Sequence, residues 1–389
     1  MSVRAVLVGL VAGSTVLCGA CTGGSTGSTG SPQPSLSPTT TSTTLRWERV
    51  PLPGGVEPVT LATSGNDVVV GAIAPSRPRP RLLLGTGPEA LREVPLTPRS
   101  PYAFEGRWFQ VATRGDRIDA IAGARGGAHG NYRWTTWSGT AAGVVEQEQP
   151  FGVFGSYGAG DLAGISYAGS SPVVLGAWQS DQTGMDVATW TRSGDRWARV
   201  PSTGTPLGST PETLVDARVI TARGDGLLLG GSVTNLAPGS VEVVPVAWTS
   251  PGPDGPWTRV DLPRSGDRGT SEVDGAVCAP GRCVLTGVTD GRLSVWEVAD
   301  DTTSEPPGTP PVVVPENVPV PSPVLLGDDL VVVAPTEVGS TLLRRSGADW
   351  ATADGPPGPP MSVVVHGDEV WVVTGAGRGT PGLWRARVA

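Results

Sequence analysis

Short apolar runs alternate along the chain with polar turns, and the same unit returns seven times. A glycine followed by Asp, Asn or another turn residue separates two β-prone segments in VTLATSGNDVVVG at Gly65, FQVATRGDRIDAI at Gly115 and GISYAGSSPVVLG at Gly169. The series continues with RVITARGDGLLLG at Gly224, GAVCAPGRCVLTG at Gly281, PVLLGDDLVVV at Gly327 and SVVVHGDEVWVV at Gly367. Steps of 50, 54, 55, 57, 46 and 40 residues separate these glycines. Gly beside Asn or Asp supplies the positive φ of a tight hairpin turn. After each hairpin a third strand ends near Trp and a fourth often begins with one, as in ATWTRSGDRWARVP (Trp190, Trp197) and VAWTSPGPDGPWTRVDLP (Trp248, Trp257). Four short strands per repeat of about 50 residues predict the blades of a β-propeller.

The last unit has a hairpin and a third strand at 382–388, and then the chain ends. Residues 45–53 (LRWERVPLP) match the fourth-strand segment from Trp257 to Pro263. A propeller commonly closes by letting its N-terminal segment complete the last blade, which removes an open sheet edge. The expectation is therefore an all-β chain: a single seven-bladed propeller over 45–389, its last blade closed by the N-terminal strand.

Composition agrees. The 389 residues include 56 Gly and 39 Pro, which excludes a long-helix architecture. All 28 basic residues are Arg, and the net charge of −8 argues against nucleic acid as a partner. The first 20 residues carry Arg4 and then an apolar run over 5–17, too short to cross ~30 Å of hydrocarbon but proportioned like a signal-peptide core. Residues 21–44 follow as a tract of Ser, Thr, Gly and Pro that buries too little apolar surface to offset its ordering entropy. It reads as a flexible tether, open to O-glycosylation.

Two resemblances attach to these segments. Leu17-Cys18-Gly19-Ala20-Cys21 resembles the bacterial lipobox, with Cys18 as a departure. It implies cleavage before Cys21, lipidation of that cysteine, and anchoring to the outer side of the cytoplasmic membrane. Ser250, Asp254, Gly255 and Trp257 resemble the Asp-box turn of sialidase-like (BNR) propellers, and 193–197 and 346–350 look like shortened versions. An Asp-box is a structural turn, so the resemblance implies a fold and not by itself an activity.

Sialidase chemistry needs three arginines on one carboxylate, a Tyr activated by Glu, and an acidic proton donor. Arg49-Val50-Pro51 mimics the first arginine's motif, but Trp-x-Arg-Val recurs at 197–200 and 257–260, so the repeat accounts for it. None of the four tyrosines stands in a recognisable nucleophile motif. The two histidines, His129 and His366, lie in different repeats and make no metal-ligand spacing. No catalytic residues, metal or cofactor are expected.

Binding remains, on the face where the loops after each second strand meet the inter-blade segments. Candidate ligand residues are Arg77, Arg79 and Arg81 in a basic cluster, His129, Tyr132 and Arg133 in a Gly-rich loop, and Asp181 and Asp186 in the third repeat's loop. The 300–321 segment is unusually long and Pro-rich. Cys278 and Cys283 flank the fifth hairpin turn on opposite arms, which predicts a disulfide in an exported chain. The expected function is a monomeric, non-catalytic surface scaffold for a protein or glycan partner; the alternative is a sialidase-like exo-glycosidase.

Overall fold

All seven turn glycines found in the repeats adopt the left-handed region, with φ between 53° at Gly169 and 77° at Gly281. Each closes the first hairpin of one four-stranded antiparallel blade, seven blades form the propeller, and blades 2 and 6 each carry a fifth, parallel edge strand, Leu96–Thr97 in blade 2. The computed structural model describes residues 39–76, 78–127, 130–264, 269–300, 302–376 and 381–388. The leader 1–20, Cys21, the tether up to residue 38, Arg77 and His129 lie outside the described residues.

Inner strands run Glu57–Ser64, Arg107–Arg114, Ala159–Ala168, Thr213–Arg223, Ser271–Ala279, Val324–Leu326 and Pro360–His366 in blades 1 to 7. The second strands are nearly continuous apolar runs, such as Val68–Val69–Val70 and Leu227–Leu228–Leu229, all at 0 % exposure. Period-two alternation is absent there because blades pack face to face and cover both sides of the sheet. The core accordingly divides into seven apolar clusters, one per seam between neighbouring blades.

In blades 3 to 6 a tryptophan ties the blade to the segment that enters it. The buried indole N–H of Trp190 donates to the Val153 carbonyl at 2.9 Å, Trp248 to Pro206 at 3.0 Å, Trp296 to Pro263 at 2.7 Å and Trp350 to Pro307 at 3.1 Å. Trp197 and Trp257, the tryptophans of two of the three Asp-box-like turns, pack into the seams, yet their indole nitrogens have no hydrogen-bond partner. At 250–257 the Ser250 hydroxyl, not Asp254, holds the turn by accepting from the Gly252 amide at 3.2 Å. The box resemblance thus marks the junction of third and fourth strands without the Asp-centred bonding.

A polar cluster crosses the seam between blades 2 and 3. Asp119, fully buried, accepts from the Tyr167 hydroxyl at 2.5 Å and pairs with Arg192 and Arg117, each at 2.8 Å. Burial first, and then the Asp119 charge and hydrogen bond, hold the Tyr167 phenol well above its usual range. In blade 5 Cys278 and Cys283 face each other across the hairpin and form the expected disulfide. The ring is small, so by chain entropy the bond contributes about 2 kcal/mol.

Glu48–Arg49 supplies the fourth strand of blade 7, antiparallel to Gly382–Arg387, with Glu48 opposite Arg385 and Arg49 opposite Trp384. The clasp begins earlier than the sequence suggested. Thr40–Ser42, assigned to the flexible tether, lies parallel to Asp349–Asp354 as a fifth strand on blade 6. Backbone pairing overrides side-chain composition there, because the outer edge of blade 6 offers unpaired amides and carbonyls. Between the two strands Leu45 and Trp47 fill the seam of blades 6 and 7, and the Trp47 indole donates to the Asp354 carbonyl at 2.8 Å. Deleting 45–53 should therefore cost about 3 kcal/mol or more, since it strips buried Val50 and the seam packing of Leu45 and Trp47. Urea denaturation of that deletion checks this; an unchanged midpoint would refute the clasp.

Candidate functional site

Six of the seven inner strands carry a one-residue bulge at equivalent positions. The register skips Val59, Phe109, Ala163, Arg218, Asp274 and Met361 in blades 1, 2, 3, 4, 5 and 7. A bulge leaves its extra residue out of the ladder and re-aims it. All six residues line one central cavity of about 2150 Å³. The facing strand often places Gly at this height, because the bulged backbone crowds it. A Cβ on Gly231 would lie 2.0 Å from the Asp216 carbonyl oxygen, and one on Gly287 1.9 Å from that of Glu272. Blade 6 has an inner strand of only three residues and no bulge; the Pro-rich segment at 314–322 lines the cavity in its place. The length of 300–321 thus serves to fill an inner position of the ring.

Two walls of this cavity differ in chemistry. In blades 4 and 5, Arg218 pairs with Asp216 at 2.9 Å, with Glu272, and with Asp274 at 3.2 Å. Burial would lower the Arg218 pKa, but its hydrogen bond to Asp216 and the three carboxylate charges outweigh this and hold it above the ordinary range. Asp274 is the most enclosed of the three, and it also accepts from the Val320 amide at 3.2 Å.

The blade 2 wall is aromatic and cationic. Phe109 and Trp134 meet edge to face at 5.5 Å, and Tyr132 and Trp134 lie 4.4 Å apart. The Arg133 guanidinium sits 4.6 Å from the Phe151 ring centroid. Tyr132 donates its hydroxyl hydrogen to the Gly123 carbonyl at 2.9 Å. Burial raises its pKa, with Arg107 and Arg125 opposing the rise and Asp161 adding to it. Arg107, Arg125, Phe151 and exposed Tyr157 complete this wall.

Of the residues singled out by sequence, Tyr132 and Arg133 line the cavity and the other described ones do not. Arg81 pairs with Glu93 across the outer strands of blade 1, and its carbonyl takes the Trp108 indole hydrogen at 2.7 Å. Arg79 is exposed, and its carbonyl accepts from the Ala74 amide. Asp181 accepts from the Thr203 hydroxyl and buried Asp186, which lies in the third strand of blade 3 and not in the loop, from the Ser209 amide, each at 2.8 Å, so both fasten blade 3 to the next inter-blade segment. The His366 ring bonds with the Asn66 carbonyl at 2.8 Å. Arg49, the sialidase-motif mimic, sits on the outermost strand of blade 7, its guanidinium donating to the Pro381 carbonyl at 3.3 Å. Arg107, Phe109, Arg125, Arg218 and Asp274 escaped the sequence reading. The readable signal was the Gly that ends the apolar run of the second strand, as in VVVG and LLLG, since it marks the height of the bulge.

No family model matches the chain, and no curated protein matches it. Solved structures do, at the level of fold. The extracellular domain described as belonging to a one-component system of B. thetaiotaomicron is 10% identical, with a TM-score of 0.52, over 87% of this chain and 39% of that one. Acylaminoacyl peptidase of Pyrococcus horikoshii is 7% identical, with a TM-score of 0.50, over 86% and 52%. The propeller domain of the Trilobed protease of Pyrococcus furiosus is 9% identical, with a TM-score of 0.46, over 85% and 95%. The chain thus spans about half or less of the first two proteins. Among the described residues no helix is long and apolar enough to cross a membrane, and no group of three His, Cys, Asp or Glu could hold a metal.

The state of Asp274 yields a pH prediction. Burial, the largest influence, raises its pKa above the ordinary 3.8 despite the Val320 amide and Arg218, and Glu272 adds to the rise. The folded chain therefore keeps this proton to higher pH than the unfolded chain. The associated stability is full below the unfolded value and is lost as pH rises through the folded one. Asp274→Asn, which has no proton to lose, should flatten that part of the curve of urea midpoint against pH; an unaltered slope would contradict the assignment.

Proposed function

We propose that the chain is an exported, lipid-anchored propeller that binds its ligand at the central cavity and does not turn it over. The observation that carries this reading is the ring of bulge residues, which brings one residue from each of six blades to the lining of one space. Bulges favour such sites because they expose a side chain without unfolding the strand. Export is supported by the leader-like N-terminus and by a fold neighbour that is itself an extracellular domain.

A sialidase-like exo-glycosidase is the second reading, favoured by three arginines and Tyr132 on one wall. Against it stands the state of Tyr132, which burial keeps protonated and whose hydroxyl is spent on a backbone carbonyl instead of a glutamate. A nucleophile needs the opposite: a lowered pKa or an adjacent base. Incubation with sialosides and other glycosides should give no turnover. On arrays of envelope glycans and peptides, binding by the parent should fall in Trp134→Ala, whose ring is half-buried in the shelf. Robust glycoside turnover, or binding indifferent to that substitution, would overturn the reading.

The anchor rests on Leu17-Cys18-Gly19-Ala20-Cys21. Cys21→Ala should abolish labelling by a fatty-acid analogue and release the protein from the membrane fraction. Membrane retention of the unlabelled variant would refute lipidation as the anchor.

A further inference from the structure

Arg81, Arg192, Arg218, Arg344, Arg345 and Arg385 each meet an Asp or Glu carboxylate. Among the described residues no carboxylate lies within ion-pair distance of Arg107, Arg125 or Arg133 on the blade 2 wall; the nearest described partners of the last two are the Gly130 carbonyl, 3.5 Å from Arg125, and the Phe151 ring beneath Arg133. The ladder sets Arg107 and Arg125 on adjacent strands of blade 2: Arg125 faces Tyr132, and Arg107 faces Gly123 two residues along, the residue whose carbonyl takes the Tyr132 hydroxyl hydrogen. The blade 2 wall presents apolar rings to the cavity: Phe109 is 47 % exposed and Phe151 59 %. Unpaired guanidinium groups next to exposed phenyl rings call for an anion with an apolar neighbour. A planar carboxylate can be gripped by a guanidinium fork through two parallel hydrogen bonds.

The opposite wall restricts the choice. Asp216, Glu272 and Asp274 share the single Arg218, and Glu316 adds another carboxylate to the lining, while Asp161 of blade 3 lies nearer the blade 2 wall, where it acts on Tyr132. A chain bearing a carboxylate on every unit would meet like charge at the opposite wall. A polymer with one terminal carboxylate avoids that conflict, and an apolar last side chain matches the exposed Phe109 and Phe151 rings. The cavity, at about 2150 Å³, has room for several residues of an extended chain.

We propose that the blade 2 wall captures the free C-terminus of a peptide, with its carboxylate between Arg107 and Arg125 and an apolar last side chain against Phe109 and Trp134. This rests on the reading of the cavity as the ligand site. It is tested by fluorescence polarisation on the purified full-length protein. The probes are a library of N-acetylated hexapeptides with free C-termini, the same peptides as C-terminal amides, and a hexameric oligogalacturonate.

Free-acid peptides with an apolar last residue should bind. Amidation should weaken them by about tenfold or more, the equivalent of one lost charge-assisted hydrogen-bond pair. Arg107→Gln with Arg125→Gln should cause a similar loss and abolish the preference for acid over amide. Both residues are exposed, so the variant should melt like the parent. Amides that bind as tightly as acids, oligogalacturonate that binds more tightly than every peptide, or no peptide binding at about 1 mM would each overturn the proposal. Glycan binding that still depends on Trp134 would remove the peptide assignment and leave the cavity's binding role intact; glycoside turnover would remove both.

Discussion

Every blade of this propeller is covered on both faces by its neighbours, and that single constraint shapes the rest. The middle strands are dry on both sides, so they carry nearly continuous apolar runs, and each seam becomes a separate apolar cluster. Tryptophan suits the seam because its ring covers a large area while its one N–H reaches out to a backbone carbonyl. In blades 3 to 6 that carbonyl belongs to the segment arriving from the previous blade, so the same side chain that fills the seam also fixes the path of the chain. Truncating a buried Trp to alanine costs roughly 3–5 kcal/mol in general, of the same order as the whole stability of many domains.

The inner strands face a different problem. Seven of them converge on an axis, and their upper ends must make room for one another. Bulges solve this by bending the strand and giving it stronger twist. The consequence is chemical as well as geometric, since each bulge leaves one residue out of the ladder at the cavity lining. In blades 1, 2, 3 and 7 that residue is Val59, Phe109, Ala163 or Met361; in blades 4 and 5 it is Arg218 or Asp274. The cavity inherits its two-sided character from this choice: apolar and cationic toward blade 2, ion-paired and net acidic toward blades 4 and 5.

Ring closure places the burden on the chain ends. Blade 7 takes three strands from the C-terminal end and one from the N-terminal end, and the segment before that strand also edges blade 6. Leu45 and Trp47 lie in the seam between the two blades, while Val50 and Leu52 reach the next seam, against blade 1. The N-terminal strap therefore joins three blades. A disulfide elsewhere, at the tip of the fifth hairpin, closes only a local loop and plays no part in this closure.

The all-β architecture, the seven blades, the clasped closure and the Cys278–Cys283 pairing were legible from the amino-acid order because each depends on local signals: a Gly turn, an apolar run, facing positions across a hairpin. Tyr132 and Arg133 reach the cavity from the start of the third strand of blade 2, and not from the Gly-rich loop in which the sequence placed them. Arg79, Arg81, Asp181 and Asp186 looked equally available in the sequence, since a side chain's partner lies outside its own segment; the fold gives Arg81 to Glu93, Asp181 to Thr203 and Asp186 to Ser209. The strand at Thr40–Ser42 was hidden for a related reason, its stability coming from the backbone edge of a blade more than 300 residues away and not from its own composition. Only the tertiary structure brought the six bulge residues together, because where a side chain points in a bulge is set by the ladder around it and not by the residue that occupies it.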